Sequence, residues 1–179
     1  MKTKNSIFKM LKPWMAILVL FSLLTQSVFA ATYVVNVSTD STGGTCTPGG
    51  DLLNDTCSLR EALSLSNNNS EADSISFDPS FPDMLTPASP YVLDGYDYGI
   101  SVDGELADAE KVSIQAQSVY NDVFDVYESN STIQNFIILG GEAGIHVNSG
   151  TTNVSILNNQ IGLSADDIEV PNTYGVRVT

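Results

Sequence analysis

The sequence predicts an all-β protein, a β-solenoid of parallel strands that is preceded by an N-terminal cap with one short helix. Two observations carry this prediction. From Tyr91 onward, short apolar segments separated by Gly, Asn, Ser and Asp recur at a regular interval, which is the signature of a solenoid. Upstream of them lies one amphipathic segment with helix-start chemistry, directly after a cysteine.

The segment that ends at Ala30 has the pattern of a secretory signal peptide. Four lysines precede an apolar run from Met15 to Leu24, and the segment closes at Val28-Phe29-Ala30. Small residues before the cut suit signal peptidase, so we expect cleavage after Ala30. The alternative is a retained anchor, but this apolar run is only about half the length needed to span a bilayer. We therefore predict a signal peptide over 1–30 and no membrane insertion after its removal.

Removal of that segment leaves a strongly acidic chain. Only Arg60, Lys111 and Arg177 remain against 21 acidic residues, a net charge of −18. Such a chain repels phosphate backbones and anionic lipid surfaces. We expect no nucleic-acid partner. Solubility outside the cell accounts for the acidity, with divalent-cation binding as the alternative.

The two cysteines, Cys46 and Cys57, both lie in the part predicted to be exported. In an oxidising compartment, a pair at short spacing indicates a disulfide. A metal site is the competing interpretation. It lacks ligands, since the only histidine, His146, lies far along the chain and two thiols alone do not make a zinc site.

The segment that follows Cys57 predicts the cap helix. Ser58 and Glu61 stand in the capping-box arrangement, in which the hydroxyl accepts from the amide of Glu61 and the carboxylate reaches back to the amide of Ser58. Leu59, Ala62 and Leu63 then share one helical face. The other predicted cap elements are a strand at 32–37, a loop at 40–54, a helix end at 67–69 and a second strand at 75–77.

The run Cys57–Ala62 reads Cys-Ser-Leu-Arg-Glu-Ala and resembles the motif that names the CSLREA domain. The resemblance extends over roughly Tyr33 to Asp78 and includes Cys46. That family occurs at the N-terminus of exported bacterial proteins, often ahead of parallel β-helix repeats. The resemblance implies a CSLREA-type cap over 31–90 and an exported protein, and it carries no chemistry to transfer.

Two series of segments can be aligned in the repeats. The first is centred on Ile114, Ile133 and Ile156, whose two intervals are both close to one solenoid coil. The second aligns 124–126, 145–147 and 176–178, with an insertion in the last interval. Asn135 and either Asn158 or Asn159 recur at a corresponding corner, where the amides either stack from one coil of the solenoid to the next or serve ordinary turn chemistry.

The repeats also resemble right-handed parallel β-helix repeats of the pectate-lyase-like kind. The segments that carry this resemblance are Asn159–Gly162 and Asn172–Val176. It implies a right-handed parallel β-helix over 91–179 that we expect to continue beyond Thr179. The competing fold is an antiparallel β-sandwich, which also has many short strands but has more frequent turns and no coil-length period.

No convergent catalytic set stands out in the sequence, and every polar candidate has a structural interpretation. Arg60 and Glu61 are expected to serve the cap, and His146 to point outward from a strand. Acid pairs such as Asp94 with Asp97 are expected in loops, because chance pairs are common among 21 acids. Three carboxylates in the insertion, Asp166, Asp167 and Glu169, are the candidate calcium ligands.

These observations predict a secreted or cell-surface β-helix scaffold, an adhesin-like module without its own catalytic site. Its partner would be an extracellular ligand or polysaccharide. The alternative is the N-terminal part of a polysaccharide-active β-helix enzyme, a lyase or hydrolase whose catalytic residues lie beyond Thr179.

Overall fold

A computed structural model describes residues 30–50, 54–82, 84–95 and 98–179 of the chain. The signal peptide predicted over 1–30 lies outside these residues except for Ala30. The strands, in chain order, are β1 (Thr32–Val35), β2 (Asp73–Phe77), β3 (Met84–Leu85), β4 (Tyr91–Leu93), β5 (Ile100–Asp103), β6 (Val112–Gln115), β7 (Phe124–Val126), β8 (Thr132–Gln134), β9 (Phe136–Leu139), β10 (Ala143–Val147), β11 (Ser155–Leu157), β12 (Gln160–Ile161) and β13 (Tyr174–Val178). The helix α1 spans Leu59–Asn67, and a 3-10 helix spans Ala107–Ala109.

The strands form three sheets, and every pairing between them is parallel. Sheet 1 has the order β1-β2-β5-β8-β11, sheet 2 has β3-β6-β9-β12, and sheet 3 has β4-β7-β10-β13. We call each successive triplet of strands a pass: β2-β3-β4, β5-β6-β7, β8-β9-β10 and β11-β12-β13. Each pass visits sheets 1, 2 and 3 in that order. The all-β prediction is confirmed at this level, and the antiparallel sandwich is excluded for the described residues.

The core lies between the three sheets. Alternate residues of the strands point inward, as in β7, where Phe124 and Val126 are fully buried and Asp125 faces outward. Phe136 links the sheets at the centre, with its ring 5.8 Å from that of Phe77 and 5.5 Å from that of Phe124. Because every pass contributes inward residues to the same core, each pass packs against the passes next to it in the stack.

The second predicted series has the predicted register in the structure. Ile145 of β10 pairs with Phe124 of β7 on one side and with Val176 of β13 on the other. The three segments therefore lie in one sheet, in successive passes. The longer last interval is the insertion at 163–170, which is closed by an antiparallel bridge from Leu163 to Glu169.

The first predicted series is wrong at its first member. Ile133 pairs with Ile156 in sheet 1, as predicted, but Ile114 lies in sheet 2 and pairs with Leu85 and Ile138. The neighbour of Ile133 on the other side is Val102. The segments around Ile114 and Ile133 have the same alternation of apolar and polar residues, so pattern alone does not say which sheet a segment joins. A 3-10 turn between Asp103 and Val112 also lengthens the second pass and masks its period.

The helix α1 begins at a chemically specified N-cap. Ser58 has an extended backbone, and its hydroxyl oxygen accepts a hydrogen bond from the amide of Glu61 at 3.1 Å. The helix ends at the predicted asparagine run, with Asn68 as its C-cap. Its buried residues pack toward β1, β2 and β4, which places it over the first passes.

The strands of the predicted cap share sheets with the predicted repeats. β2 pairs with β5 in sheet 1, and β3, which lies in the proline-rich segment 79–90 at the end of the predicted cap, pairs with β6 in sheet 2. The division at residue 90 stays a prediction. No helix in the described ranges is long and apolar enough to cross a membrane.

Candidate functional site

The outer surface of sheet 3 carries a polar cluster at the centre of three stacked strands. Asp125 of β7, His146 of β10 and Arg177 of β13 are partners in register. Each lies between two inward-facing apolar residues, so strand alternation turns all three side chains outward. A fourth member, Asp122, lies just before β7 and is 8% exposed.

The imidazole of His146 is the centre of the cluster. Its Nδ1 atom lies 3.0 Å from Oδ2 of Asp122 and 3.1 Å from Oδ1 of Asp125. Its Nε2 atom lies 3.1 Å from Oγ1 of Thr179. Only 13% of the His146 side chain is exposed. The predicted outward orientation of His146 is present. The side chain is not an isolated surface residue, because it is mostly buried among its partners.

Arg177 supplies the positive charge of the cluster. Its Nη2 atom donates to Oδ2 of Asp122 at 2.8 Å, and its Nη1 atom donates to Oε1 of Glu142 at 2.7 Å. Nη2 also lies 3.1 Å from Nδ1 of His146. The Nε atom of Arg177 is buried and has no hydrogen-bond partner in the described part of the chain.

The cluster has an excess of negative charge. Three carboxylates, those of Asp122, Asp125 and Glu142, face one guanidinium and one imidazole. Burial raises the pKa of the Asp125 carboxyl above its ordinary value, and the nearby charge of Asp122 raises it further. The interaction with His146 lowers the pKa of Asp125 and offsets part of this effect.

The backbone fixes the position of Asp122. Its Oδ1 atom accepts a hydrogen bond from the amide of Ala143 at 2.8 Å, across to the next pass. Oδ2 is thereby directed toward His146 and Arg177. Carboxylates and an imidazole in this arrangement are able to bind a metal ion or to exchange a proton with a bound ligand.

The cluster could have been found from the sequence. The aligned series at 124–126, 145–147 and 176–178 has Asp125, His146 and Arg177 at its three central positions. Outward residues at equivalent positions of stacked parallel strands are neighbours, so the alignment already implied their contact. Asp122 had no such signal, because it lies in a turn outside the aligned triplets.

The calcium ligands predicted in the insertion do not converge. Asp166, Asp167 and Glu169 are exposed. Among the described residues, a different group of three possible ligands converges: Asp122, Asp125 and His146. Their ligand atoms all lie within 4.8 Å of one another. The side chains that converge thus lie on sheet 3 rather than in the insertion.

The predicted cap residues take structural positions. Cys46 and Cys57 form a disulfide with their Cα atoms 4.6 Å apart. Arg60 does not pair with Glu61, but forms an ion pair with Asp40 and lies over the ring of Tyr91 at 4.9 Å. These contacts tie the loop after β1 to α1 and β4.

Glu61 and Asp94, two other candidates named from the sequence, also lie outside the cluster. Oε2 of Glu61 is buried without a hydrogen-bond partner in the described ranges, whereas the Ser58 half of the capping box is formed. Asp94 is exposed, and its amide donates to Oδ1 of Asn67 at 3.0 Å. Its suggested partner Asp97 lies outside the described residues.

No family model, no curated protein and no solved structure matches the chain. The resemblances to the CSLREA domain and to pectate-lyase-like repeats accordingly stay predictions.

Proposed function

We propose that this chain is part of an exported scaffold, a right-handed parallel β-helix that serves as a secreted or cell-surface, adhesin-like module without a catalytic site of its own. The observation that carries the proposal is the repeated path of the chain. Four passes visit three parallel sheets in the same order, and a β-helix is built in that way. The Cys-Ser-Leu-Arg-Glu-Ala run, which resembles the CSLREA motif, supports export.

A stack of this kind is suited to display surface rather than to enclose a substrate. Successive passes lie about 4.8 Å apart along the stack, so added passes lengthen the molecule without deepening its core. The outward residues form columns along each sheet. Repeated columns of polar side chains are a means of binding an extended ligand such as a polysaccharide.

In the described part of the chain, the two ends of the stack differ in how their apolar residues are covered. On the side of β1, α1 packs against the first strands with its apolar face. On the side of β13, Val176 and Val178 are 44% and 74% exposed, although Ile145 at the equivalent position of the previous pass is fully buried.

The surroundings of Ala31 support cleavage after Ala30. The Ala31 nitrogen donates to Oδ1 of Asp73 at 2.8 Å, and Asp73 is only 2% exposed. Ala31 and Glu71 line the same cavity, and Oε2 of Glu71 is buried without a hydrogen-bond partner among the described residues. Cleavage would convert the single N–H of Ala31 into an ammonium group with three donors, for which the carboxylate of Asp73 is in place and that of Glu71 lines the same cavity.

The disulfide supports the same compartment. Cys57 is 1% exposed, and the bond links the loop after β1 to the start of α1. Such bonds persist where the surroundings are oxidising.

Secretion of the full chain from a bacterial host tests the export half of the proposal. We expect intact-mass measurement to give a chain that starts at Ala31 and is lighter than the fully reduced form by the mass of two hydrogen atoms. A retained first segment, or two thiols that alkylate without reductant, would contradict export in the proposed form.

Binding and turnover assays on the same material test the scaffold half. The chain is presented with immobilised neutral and acidic polysaccharides, and the release of reducing ends or unsaturated products is followed in parallel. Retention without turnover supports a binding scaffold. Turnover that is lost in the Asp122→Asn variant would instead support an enzyme with its site in the described passes.

A further inference from the structure

We propose that Asp122, Asp125 and His146 bind one divalent transition-metal ion, of which Zn²⁺ is the representative, and that the ion links the second pass of strands to the third. Asp122 and Asp125 belong to the turn before β7 and to β7 itself, whereas His146 belongs to β10. Their ligand atoms all lie within 4.8 Å of one another. The proposal concerns a site on sheet 3 and goes beyond the scaffold function.

The spacing of the ligand atoms fits a shared ion. Zn²⁺ sites are usually tetrahedral, and two ligands that each lie about 2.1 Å from such an ion are about 3.4 Å apart. The distances from Nδ1 of His146 to the carboxylate oxygens of Asp122 and Asp125 are 3.0 and 3.1 Å. A tetrahedral ion shared by these atoms would lengthen each of these two separations by about 0.3–0.4 Å.

The hydrogen-bonding capacity of Nδ1 also favours an ion. A neutral imidazole nitrogen carries either one proton or one lone pair. Here two carboxylate oxygens require a proton on Nδ1, whereas Nη2 of Arg177, at 3.1 Å, requires a lone pair. Nδ1 therefore bonds to the carboxylates when it carries a proton and to Arg177 when it carries a lone pair, but not to both at once.

A metal ion removes this conflict. It accepts the lone pair of Nδ1 and one oxygen from each aspartate, and the proton then resides on Nε2. That N–H faces Oγ1 of Thr179 at 3.1 Å, the kind of second hydrogen bond that orients metal-bound histidines.

The charge of the cluster leads to the same conclusion. With a neutral imidazole, the three carboxylates of Asp122, Asp125 and Glu142 exceed the single guanidinium of Arg177 by two negative charges. A divalent ion compensates both. In its absence the guanidinium is the cation nearest to Asp122, so Arg177 competes with the metal for that carboxylate.

Arg177 has an alternative position when the ion binds. Its Nη1 atom already donates to Glu142, its side chain is 25% exposed, and its guanidinium lies 5.7 Å from the ring of Tyr174. Rotation away from Asp122 therefore keeps one ion pair and exposes the ligands. The affinity of the site should rise when this competing charge is removed.

The ligand set selects the class of metal. An imidazole with two carboxylates suits Zn²⁺, Co²⁺ or Ni²⁺, whereas Ca²⁺ prefers six to eight oxygen ligands. The experiment uses the secreted chain without a histidine tag, titrated by calorimetry with ZnCl₂ and with CaCl₂. We expect one Zn²⁺ per chain and no heat of binding with Ca²⁺ at the same concentrations.

His146 provides a direct second readout because it is the only histidine of the chain. Long-range ¹H–¹⁵N spectra then contain one imidazole. We expect Zn²⁺ to shift its Nδ1 resonance and to leave the proton on Nε2. A shift centred on Nε2, or no change at saturating Zn²⁺, would overturn the proposal even if every variant failed to fold.

Matched variants separate this site from other acids. We expect Asp125→Asn, which keeps the shape of the side chain, to weaken Zn²⁺ binding tenfold or more, and Arg177→Gln to strengthen it severalfold. Asp166→Asn, in the exposed insertion, should leave it unchanged. Equal binding by all three variants, equal affinity for Ca²⁺, or no binding by both the unmodified chain and Arg177→Gln would overturn the site.

Discussion

The Nδ2 atom of Asn158 donates to Oδ1 of Asn135 at 2.6 Å, from one pass of strands to the next. Both residues have a left-handed backbone, with φ of 52° and 62°. Nδ2 of Asn135 continues the ladder to Oδ1 of Asp103, one pass further, at 2.7 Å. The two interpretations of these asparagines were therefore both correct, since asparagine provides the left-handed turn and its amide joins adjacent passes.

The ladder predicts a cost for removing its middle amide. Asn135→Gly keeps the backbone able to adopt the left-handed turn, but leaves Asp103 and Asn158 each without one partner. Because Asn135 is only 8% exposed, we expect the free energy of unfolding to fall by about 2 kcal/mol. Urea denaturation followed by circular dichroism measures it.

Asn153→Gly is the matched control for this prediction. Asn153 has φ of 58° and donates to Oδ1 of Asn130 at 2.9 Å, but it is exposed. Water replaces a lost partner there, so the expected loss is about 0.5 kcal/mol. Equal losses for the two variants would show that turn conformation, not the amide ladder, sets the stability of this corner.

A second prediction tests the corrected register of sheet 1. Ile133 is fully buried between Val102 and Ile156. Ile133→Asp places a carboxylate in this column without a basic partner, which costs several kcal/mol or forces protonation. That is a large share of the roughly 5–15 kcal/mol typical of a domain, and we expect a variant that does not fold stably in thermal melts.

The control for Ile133→Asp must point outward from the same strand without meeting an acid. Gln134 is unsuitable, because its Nε2 atom donates to Oδ2 of Asp103 at 2.8 Å, so an aspartate there would face another carboxylate. Thr132 lies between Ser101 and Ser155. Thr132→Asp should cost about 0.5 kcal/mol. A tolerated Ile133→Asp would contradict the register.

The sequence predicted those parts of the fold that depend on local chemistry or on closely spaced repeats. The start and end of the helix followed from residues that lie near one another, Ser58 and the asparagine run. The register of sheet 3 followed from a clear recurring pattern, that of Phe124, Ile145 and Val176. The disulfide was predicted from compartment and spacing, and it is present in the structure.

The parts that failed depend on which sheet a segment joins. Ile114 and Ile133 have the same local pattern, and the sheet is decided by the lengths of the turns between strands, which pattern does not encode. The cluster around His146 was missed for a related reason. Charged residues were judged one at a time along the chain, whereas stacking makes neighbours of Asp125, His146 and Arg177, which are far apart in the sequence but adjacent in sheet 3.

A third prediction concerns stability at high pH. Tyr91 is 1% exposed, and burial raises the pKa of its phenol above the ordinary value; the charge of Asp40 raises it further, and Arg60 opposes this. The folded chain keeps this phenol neutral at a pH where the unfolded chain ionises it. The contribution is complete below about pH 10 and falls by about 1.4 kcal/mol per pH unit above it.

Tyr91→Phe isolates this effect. We expect its free energy of unfolding to decline less steeply above about pH 10 than that of the unmodified chain, with no difference in slope below about pH 9. Urea denaturation at a series of pH values gives both slopes. Parallel curves over the whole range would mean that Tyr91 ionises in the folded chain as readily as in the unfolded one.

The last prediction concerns the amino group that cleavage after Ala30 would create. In the mature chain this group is an ammonium next to Asp73, which also accepts from Nδ2 of Asn69. Acetylation of the amino group keeps one N–H but removes the charge. We expect the acetylated chain to be less stable by about 1–2 kcal/mol at neutral pH, the difference between a charge-assisted and a neutral hydrogen bond.

The pH dependence and one variant identify the carboxylate responsible. The stabilisation requires the charged amino group, so it is complete below the unfolded pKa of about 8 and is lost at higher pH as the amino group gives up its proton. Asp73→Asn should abolish the difference between free and acetylated chains. Asp78→Asn, at an acid that directly follows the same strand and accepts from the amide of Ser80 instead, should preserve it. With Asp73 unchanged, equal stability of the free and acetylated chains at neutral pH would show that Asp73 does not bind the charged amino group. This support for cleavage after Ala30 would then be lost.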